Sequence, residues 1–408
     1  MVIGIDASRA NLKRKTGTEW YSFYLIKNFA RLDKTNKYIL YLNREPSAEL
    51  KEVIKDSPNF SFKLLVWPFW SFWTLGRLSW EMIWHRPDVL FIPAHTMPLI
   101  YPRNTINTIH DIAFTRERNL YRSDRVKTER ATSRRLIEVI VKVITRGKYR
   151  SDSLDYLYWS TEFALHKAKK IITVSNFTKH EILSVYPKVE EAKIKVVHNG
   201  YNSELYKLDR DPEKIKEVLE KYGLETPFFL YVGRIEKKKN TSALIEAMAL
   251  LRDNHPEIKE KMVLVGDASF GYDEVKYVIE EFNLNDEVIM SGWLEEEDMP
   301  IILQAASAFI FPSKHEGFGI PILQAMACGV PVAASDIPVF KEVARDAVLY
   351  FDHRDKLAIS EAMARLVIDK DLRDELVAKG LERVKRFSWE KCARETLKEI
   401  IGYKEDNL

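Results

Sequence analysis

Cysteine and glutamine are scarce in this 408-residue chain, with two of each: Cys328, Cys392, Gln304 and Gln324. Two thiols build neither a disulfide framework nor a four-ligand metal site, and both lie in helically patterned segments, so they read as buried thiols. Long apolar runs are missing as well. No stretch approaches the ~20 residues that span a bilayer, and the opening MVIGID reads as a first strand, not as a secretion signal. An excess of one charge is also missing: 63 basic against 60 acidic residues leave +3, no electrostatic footprint for nucleic acid. These absences point to a cytoplasmic protein. Little glutamine amid abundant Lys and Glu is a composition met in thermophiles.

What is present is a core. Hydrophobic residues make up 46% of the chain and charged residues 30%, and the length exceeds what one core usually supports, so two domains are expected. Short apolar runs alternate with amphipathic segments. Strands are predicted at 2–6, 38–41, 62–66, 89–92, 105–109, 170–174 and 194–197, with helices such as 19–32, 73–83 and 178–185. After residue 202 the pattern restarts: strands at 228–232, 262–265, 288–290, 308–311, 332–334 and 348–351, helices such as 241–251, 319–328 and 359–368. Continuous apolar strands alternating with helices predict α/β architecture, two Rossmann-like doubly wound domains facing across a cleft, with ligands at the C-terminal strand ends. The expected domains are 1–202, completed by a C-terminal helix at 389–408, and 203–388.

The densest motif is residues 311–332, FPSKHEGFGIPILQAMACGVPV. A buried strand ends at Phe311, a glycine-rich turn follows, and a helix begins at Gly319–Pro321. Free N–H groups at a helix start attract phosphate, and Gly317 and Gly319 let a ligand approach the backbone. Glu316 stands at the lip, placed to accept from sugar hydroxyls, and Gln324 is within reach of a ribose. The plain alternative is a strand–turn–helix with a capping carboxylate. A second element, YVGRIEKKKNT from Tyr231, sets Arg234 and Lys239 around a strand-to-helix turn that suits a diphosphate, with Lys237 and Lys238 as solvated neighbours.

Residues 316–329 resemble the signature of glycosyltransferase family 4, a retaining group with the GT-B fold, whose motif is E-G-F-G-x-P-x-x-E-A-M-A-x-G. One position departs: Gln324 stands where the family has its second Glu, keeping hydrogen bonds to a ribose but losing their charge-assisted part. The resemblance implies that Glu316, Gly317, Phe318 and Gly319 meet the donor sugar, and that Arg234, Lys239, Gly17, Gly319 and Ile320 meet its phosphates. It further implies that Gln324, Gly266, Trp293 and Leu294 surround ribose and base. His110, in TIHDIA, resembles the family's acceptor-side histidine and is assigned with Glu316 to catalysis; a lone histidine at a strand end is more often structural. The loop at 15–21, KTGTEWY, keeps Thr16, Gly17 and Tyr21 of the family's pattern and departs at Glu19 and Trp20. No metal-binding Asp-x-Asp constellation stands at a strand end, so no metal and no cofactor are expected: the nucleoside diphosphate sugar is the donor substrate, and Arg234, Lys239 and helix N-termini stabilise the leaving group.

Residues 93–99 and 108–114 resemble mannosyltransferases of bacterial and archaeal polysaccharide synthesis, which favours GDP-mannose as donor, with UDP- or ADP-glucose as the alternative. The partners expected are a nucleotide sugar and a sugar, polyol or lipid-linked acceptor. The Gln324 departure keeps open a catalytically weak sugar-nucleotide-binding protein. Two segments carry a second meaning. The aromatic stretch 67–84 is either packed under its loop and helix, an acceptor channel, or a membrane-interface patch. The basic stretch 116–150 is either a solvated face, a loop over the cleft, or an amphipathic surface for anionic lipid, which would make the protein peripheral at the inner membrane face.

Overall fold

VLFI at Val89–Ile92, TINTI at Thr105–Ile109 and AFIF at Ala308–Phe311 are buried along their whole length. Strands without a solvent face belong inside parallel sheets covered on both sides. The computed structural model, which describes residues 1–68, 72–121 and 153–402, places them there. The chain forms two compact units, Met1–Gly200 with Trp389–Leu408, and Tyr201–Ser388.

In the first unit, β1 (Val2–Asp6), β2 (Lys37–Leu42), β3 (Phe60–Leu64), β4 (Val89–Ile92), β5 (Thr105–Ile109), β6 (Lys170–Thr173) and β7 (Ile194–Val196) form one parallel sheet in the order β3-β2-β1-β4-β5-β6-β7. Gly4 sits opposite Ile39 on one side and Leu90 on the other. Around the sheet run α1 (Gly17–Leu32), α2 (Ala48–Ile54), α3 (Ser79–Trp84), α4 (Ser153–Lys167) and α5 (Asn176–Val185). A capping box fixes where α1 begins: Thr16 is the N-cap, and Glu19 reaches back to accept from the Thr16 N–H at 3.1 Å.

The second unit repeats the plan with β8 (Phe228–Val232), β9 (Lys261–Val265), β10 (Val288–Gly292), β11 (Ala308–Phe311), β12 (Val332–Ser335) and β13 (Leu349–Phe351), in the order β10-β9-β8-β11-β12-β13. Its helices are α6 (Pro212–Tyr222), α7 (Thr241–Asn254), α8 (Tyr272–Glu281), α9 (Met299–Ala305), α10 (Ile320–Ala327), α11 (Pro338–Ala344), α12 (Lys356–Ile368) and α13 (Lys370–Val384). In both sheets the order reverses beside the first strand, between β1 and β4 and between β8 and β11, the switch points where such folds hold ligands.

The last helix, α14 (Trp389–Ile401), belongs to the first unit. Trp389, Cys392, Ala393, Thr396, Leu397 and Ile400 form its buried stripe. Trp389 stacks on Tyr24 of α1 at 5.3 Å, Glu390 pairs with Arg31, and Glu399 accepts from Lys170 Nζ at 2.8 Å. Cys328 and Cys392 are both fully buried free thiols.

Two predicted elements need correction. The helix expected over 73–83 is a π-helix, Thr74–Leu78, continued by α3. The Trp67 ring lies against Gly76, where a Cβ would come within 2.6 Å of it, and the widened turn accommodates that ring. The strand expected over 62–66 is Phe60–Leu64, because its register is set by Tyr38–Leu42 and pairing stops before exposed Val66. Most of the basic stretch 116–150, from residue 122 onward, lies outside the described residues, as do 69–71 of the aromatic stretch.

Candidate active site

At the switch point of the second unit, the loop after β8 and the loop after β11 meet. The first, residues 233–240, is strapped to the turn after β9: Ile235 N–H donates to Asp267 O at 3.0 Å, Ser269 N–H to Ile235 O at 3.1 Å and Lys237 N–H to Phe270 O at 2.8 Å. Gly266, at φ +143°, makes this possible. A Cβ there would lie 2.1 Å from the Gly233 carbonyl oxygen. Gly266 N–H in turn donates to Gly292 O at 2.8 Å, so the ends of β8, β9 and β10 are tied in a row. Trp293, half-buried, and Leu294, buried, follow that row.

The two loops are joined by a backbone bond, Lys314 N–H to Lys238 O at 3.0 Å, and by a side-chain ion pair, Lys239 with Glu316. Glu316 is 9% exposed. Its Oε1 accepts from both Lys239 Nζ and the buried Ser313 Oγ, the latter at 2.9 Å; among the described residues Oε2 receives no hydrogen bond. Burial would raise the carboxyl, but Lys239 and Lys238, with those two hydrogen bonds, hold it below its ordinary 4.5. A buried carboxylate kept ionised, with one oxygen anchored and the other open, is suited to hydroxyls or to positive charge developing on a ligand.

On the same loop as Lys239, Arg234 is exposed and makes no side-chain pair among the described residues, while its carbonyl accepts from Tyr231 Oη at 2.9 Å. Gly319, at φ +103°, caps α10; a Cβ there would come 2.9 Å from Phe340 Cε1. The cap leaves Ile320 as the first helical residue, after a turn in which Gly317 and Phe318 are buried. Half-buried Gln324 lies on α10, and its side-chain amide has no hydrogen bond among the described residues. The structure therefore brings Arg234, Lys239, Glu316, Gly317, Phe318, Gly319 and Ile320 onto two touching loops. Sequence reasoning missed Ser313, though FPSKHE already spaced its hydroxyl three residues before the carboxylate.

In the first unit, His110 follows β5. Its Nε2 donates to Pro93 O at 3.1 Å, its own carbonyl accepts from Thr178 Oγ1 at 3.3 Å, and Tyr21 packs edge-on at 4.8 Å. Burial, then the neighbouring His95, push its pKa from 6.5 down to about 4, so the imidazole is neutral near pH 7. Gly17 opens α1, exposed, with nothing among the described residues within 4 Å of where a Cβ would stand. Lys15, two residues earlier, is buried against Trp20 and Phe23 and paired with Glu49, so it is structural.

Residues 16–205 match the family model described as Glycosyltransferase Family 4, and residues 211–383 the model described as Glycosyl transferases group 1. The O-antigen chain mannosyltransferase B of Escherichia coli is 32% identical over 259 residues, 63% of this chain and 67% of that protein. The O-antigen chain mannosyltransferase RfbU of Salmonella typhimurium is 27% identical over 302 residues, 74% of this chain and 70% of that one. Among solved structures, Anabaena Alr3699/HepE in complex with UDP and glucose aligns with a TM-score of 0.70 at 17% identity, over 98% of this chain and 99% of that one. Fold and relatives define the class, a glycosyltransferase built from two doubly wound α/β units. Within that class the chain belongs to glycosyltransferase family 4, of the GT-B fold. No helix among the described residues is long and apolar enough to cross a membrane.

Proposed function

We propose that the chain is a retaining, metal-independent mannosyltransferase that moves mannose from GDP-mannose to an acceptor hydroxyl in polysaccharide, glycolipid or polyol glycoside synthesis. The single observation that supports it most is the Lys239–Glu316 pair at the second unit's switch point, with exposed Arg234 on the same loop as Lys239. The names of the two relatives favour mannose.

On this reading Arg234, Lys239 and the N–H groups that open α10 receive the diphosphate. As the bond from the anomeric carbon to the diphosphate oxygen breaks, the acceptor oxygen bonds to that carbon on the same face. The acceptor's proton passes to a diphosphate oxygen, so no enzymatic nucleophile is needed. Glu316 Oε2 steadies positive charge developing on the sugar ring, with Oε1 held by Ser313 and Lys239. His110 enters as a neutral hydrogen-bonding group. Gln324 meets the ribose, and Gly266, Trp293 and Leu294 border the base. Gly17 gives the β1 loop a side-chain-free approach to the donor. The donor sugar is the only small molecule this chemistry requires besides the acceptor.

A second reading rests on Gln324: with a neutral amide where the family has a carboxylate, the chain is a sugar-nucleotide binder of low turnover. One experiment addresses both. The purified chain is melted with GDP, UDP and ADP and with their mannose or glucose esters, with and without divalent metal. Saturation near 100 times Kd adds about 2.7 kcal/mol of stability. Stabilisation by GDP and GDP-mannose and not by the uridine or adenosine compounds, indifferent to metal, with turnover to an axial product by NMR, is expected. Preference for UDP or ADP esters makes the enzyme a glucosyltransferase, and binding without donor consumption makes it a sensor.

A further inference from the structure

Met1 apart, the exposed large apolar side chains among the described residues of the first unit lie on or next to α3 and the edge strand β3. Leu64, Val66, Trp80, Ile83, Trp84 and Ile100 are each more than a third exposed, Trp80 at 61% and Trp84 at 69%. Trp80 and Trp84 are one helical turn apart on α3, with Ile83 on the same side. Leu64 ends β3, the sheet's edge strand, and Val66 follows it. Glu81 ties the helix to that strand, taking Lys63 at 2.5 Å, His85 at 3.0 Å and Arg77 at 3.4 Å. Ile100 adjoins the start of α3, its N–H donating to Ser79 Oγ at 3.4 Å.

Charge identifies what such a face meets. From Phe60 to Arg86 the chain carries Lys63, Arg77, Arg86 and His85 and a single carboxylate, Glu81. Glu81 is 4% exposed and ringed by three of those cations, so no acid on this stretch faces outward. Exposed tryptophans, which favour the headgroup boundary, beside a cationic fringe with its only acid withdrawn, suit a surface that is apolar within and negative at its rim.

We propose that α3 and the adjoining β3 edge dock the protein onto an anionic lipid bilayer, with Trp80 and Trp84 entering the headgroup region and Lys63, Arg77 and Arg86 supplying the attraction. The inference stands apart from the choice of donor and acceptor. Its test is flotation of the full chain with phosphatidylcholine vesicles and with vesicles one-third phosphatidylglycerol. The chain is expected to float with the anionic vesicles, less so as salt is raised, with a blue shift of tryptophan emission. The Trp80→Ser/Trp84→Ser variant should partition roughly tenfold or more weakly, with its melting temperature and nucleotide-induced shift unchanged. Tyr277→Ser, an equally exposed aromatic of the second unit, should float as the parent does. Absence of flotation at low salt, or equal flotation of the double variant, overturns the proposal. So does a concentration-dependent dimer that the double variant dissolves, which would assign the face to a second copy of the chain.

Discussion

Lys239 and Glu316, 77 positions apart in sequence, close an ion pair that joins the β8 and β11 loops and leaves one carboxylate oxygen open. The pair keeps a buried carboxyl charged by supplying its counter-ion from the neighbouring loop, and Ser313 steadies the same oxygen. Removing the cation should therefore change Glu316 itself and not only what it binds.

Lys239→Met is expected to cost about 3 kcal/mol of stability, since it strands a buried carboxylate, and to invert the local pH dependence. In the parent, the depressed Glu316 pKa contributes stability that is full above 4.5 and is lost as pH falls through the folded value. Without Lys239, burial dominates and the pKa rises, so the variant loses stability as pH climbs through that raised value. Melting curves of both proteins between about pH 4 and pH 7 read this directly; parallel curves would remove Lys239 as the counter-ion.

Arg234→Ala separates binding from folding. The guanidinium is exposed and has no pair among the described residues, so melting should shift by less than about 0.5 kcal/mol. If Arg234 meets the leaving diphosphate, kcat/KM should fall by roughly 2–4 kcal/mol, a factor of tens to hundreds. Steady-state kinetics on a folded variant decides it.

The neutral imidazole of His110 predicts a stability slope at mildly acid pH. With its pKa lowered from 6.5 to about 4, the unfolded chain binds the extra proton first, so stability is lost as pH falls from 6.5 toward 4 and is flat above. The full window amounts to about 3 kcal/mol. His110→Gln should flatten it, as chemical denaturation at several pH values would show.

Gln324→Glu restores the family's charge-assisted bond. Nucleotide affinity by calorimetry should tighten roughly tenfold, and Gln324→Ala should weaken it. If neither change moves the affinity, Gln324 does not meet the nucleotide.

Two glycines give opposite outcomes on substitution. Gly266→Ala drives a Cβ to 2.1 Å from a backbone oxygen and should cost more than about 3 kcal/mol. Gly17→Ala meets open space among the described residues, so the fold should be untouched; lost activity in that variant would be the mark of a ligand approaching the β1 loop.

Strands Val89–Ile92, Phe228–Val232 and Ala308–Phe311 could be read to the residue, because buried parallel strands are unbroken apolar runs bounded by turn residues, and Val2–Asp6 and Thr105–Ile109 were equally legible from the β-branched residues between their flanking turns. The two loops were legible for the same reason: glycines and charges crowd where such strands end. What escaped depends on tertiary partners. The π-helix at Thr74–Leu78 exists because Trp67 presses on Gly76, and β3 starts two residues early because β2 sets its register. The Lys239–Glu316 bond arises from side chains meeting across loops and the lowered His110 pKa from burial and then His95, and no local pattern records either.

Helix α14 lies at the far end of the polypeptide from the strands and helix it covers, and the whole second unit is threaded between them. Emerging from a ribosome, the first unit has its seven strands early yet waits for Trp389 to reach Tyr24 and for Glu399 to reach Lys170. The second unit, contiguous in sequence, can finish first. The half of the chain made first is thus the half completed last, its face on α1 uncovered until α14 arrives.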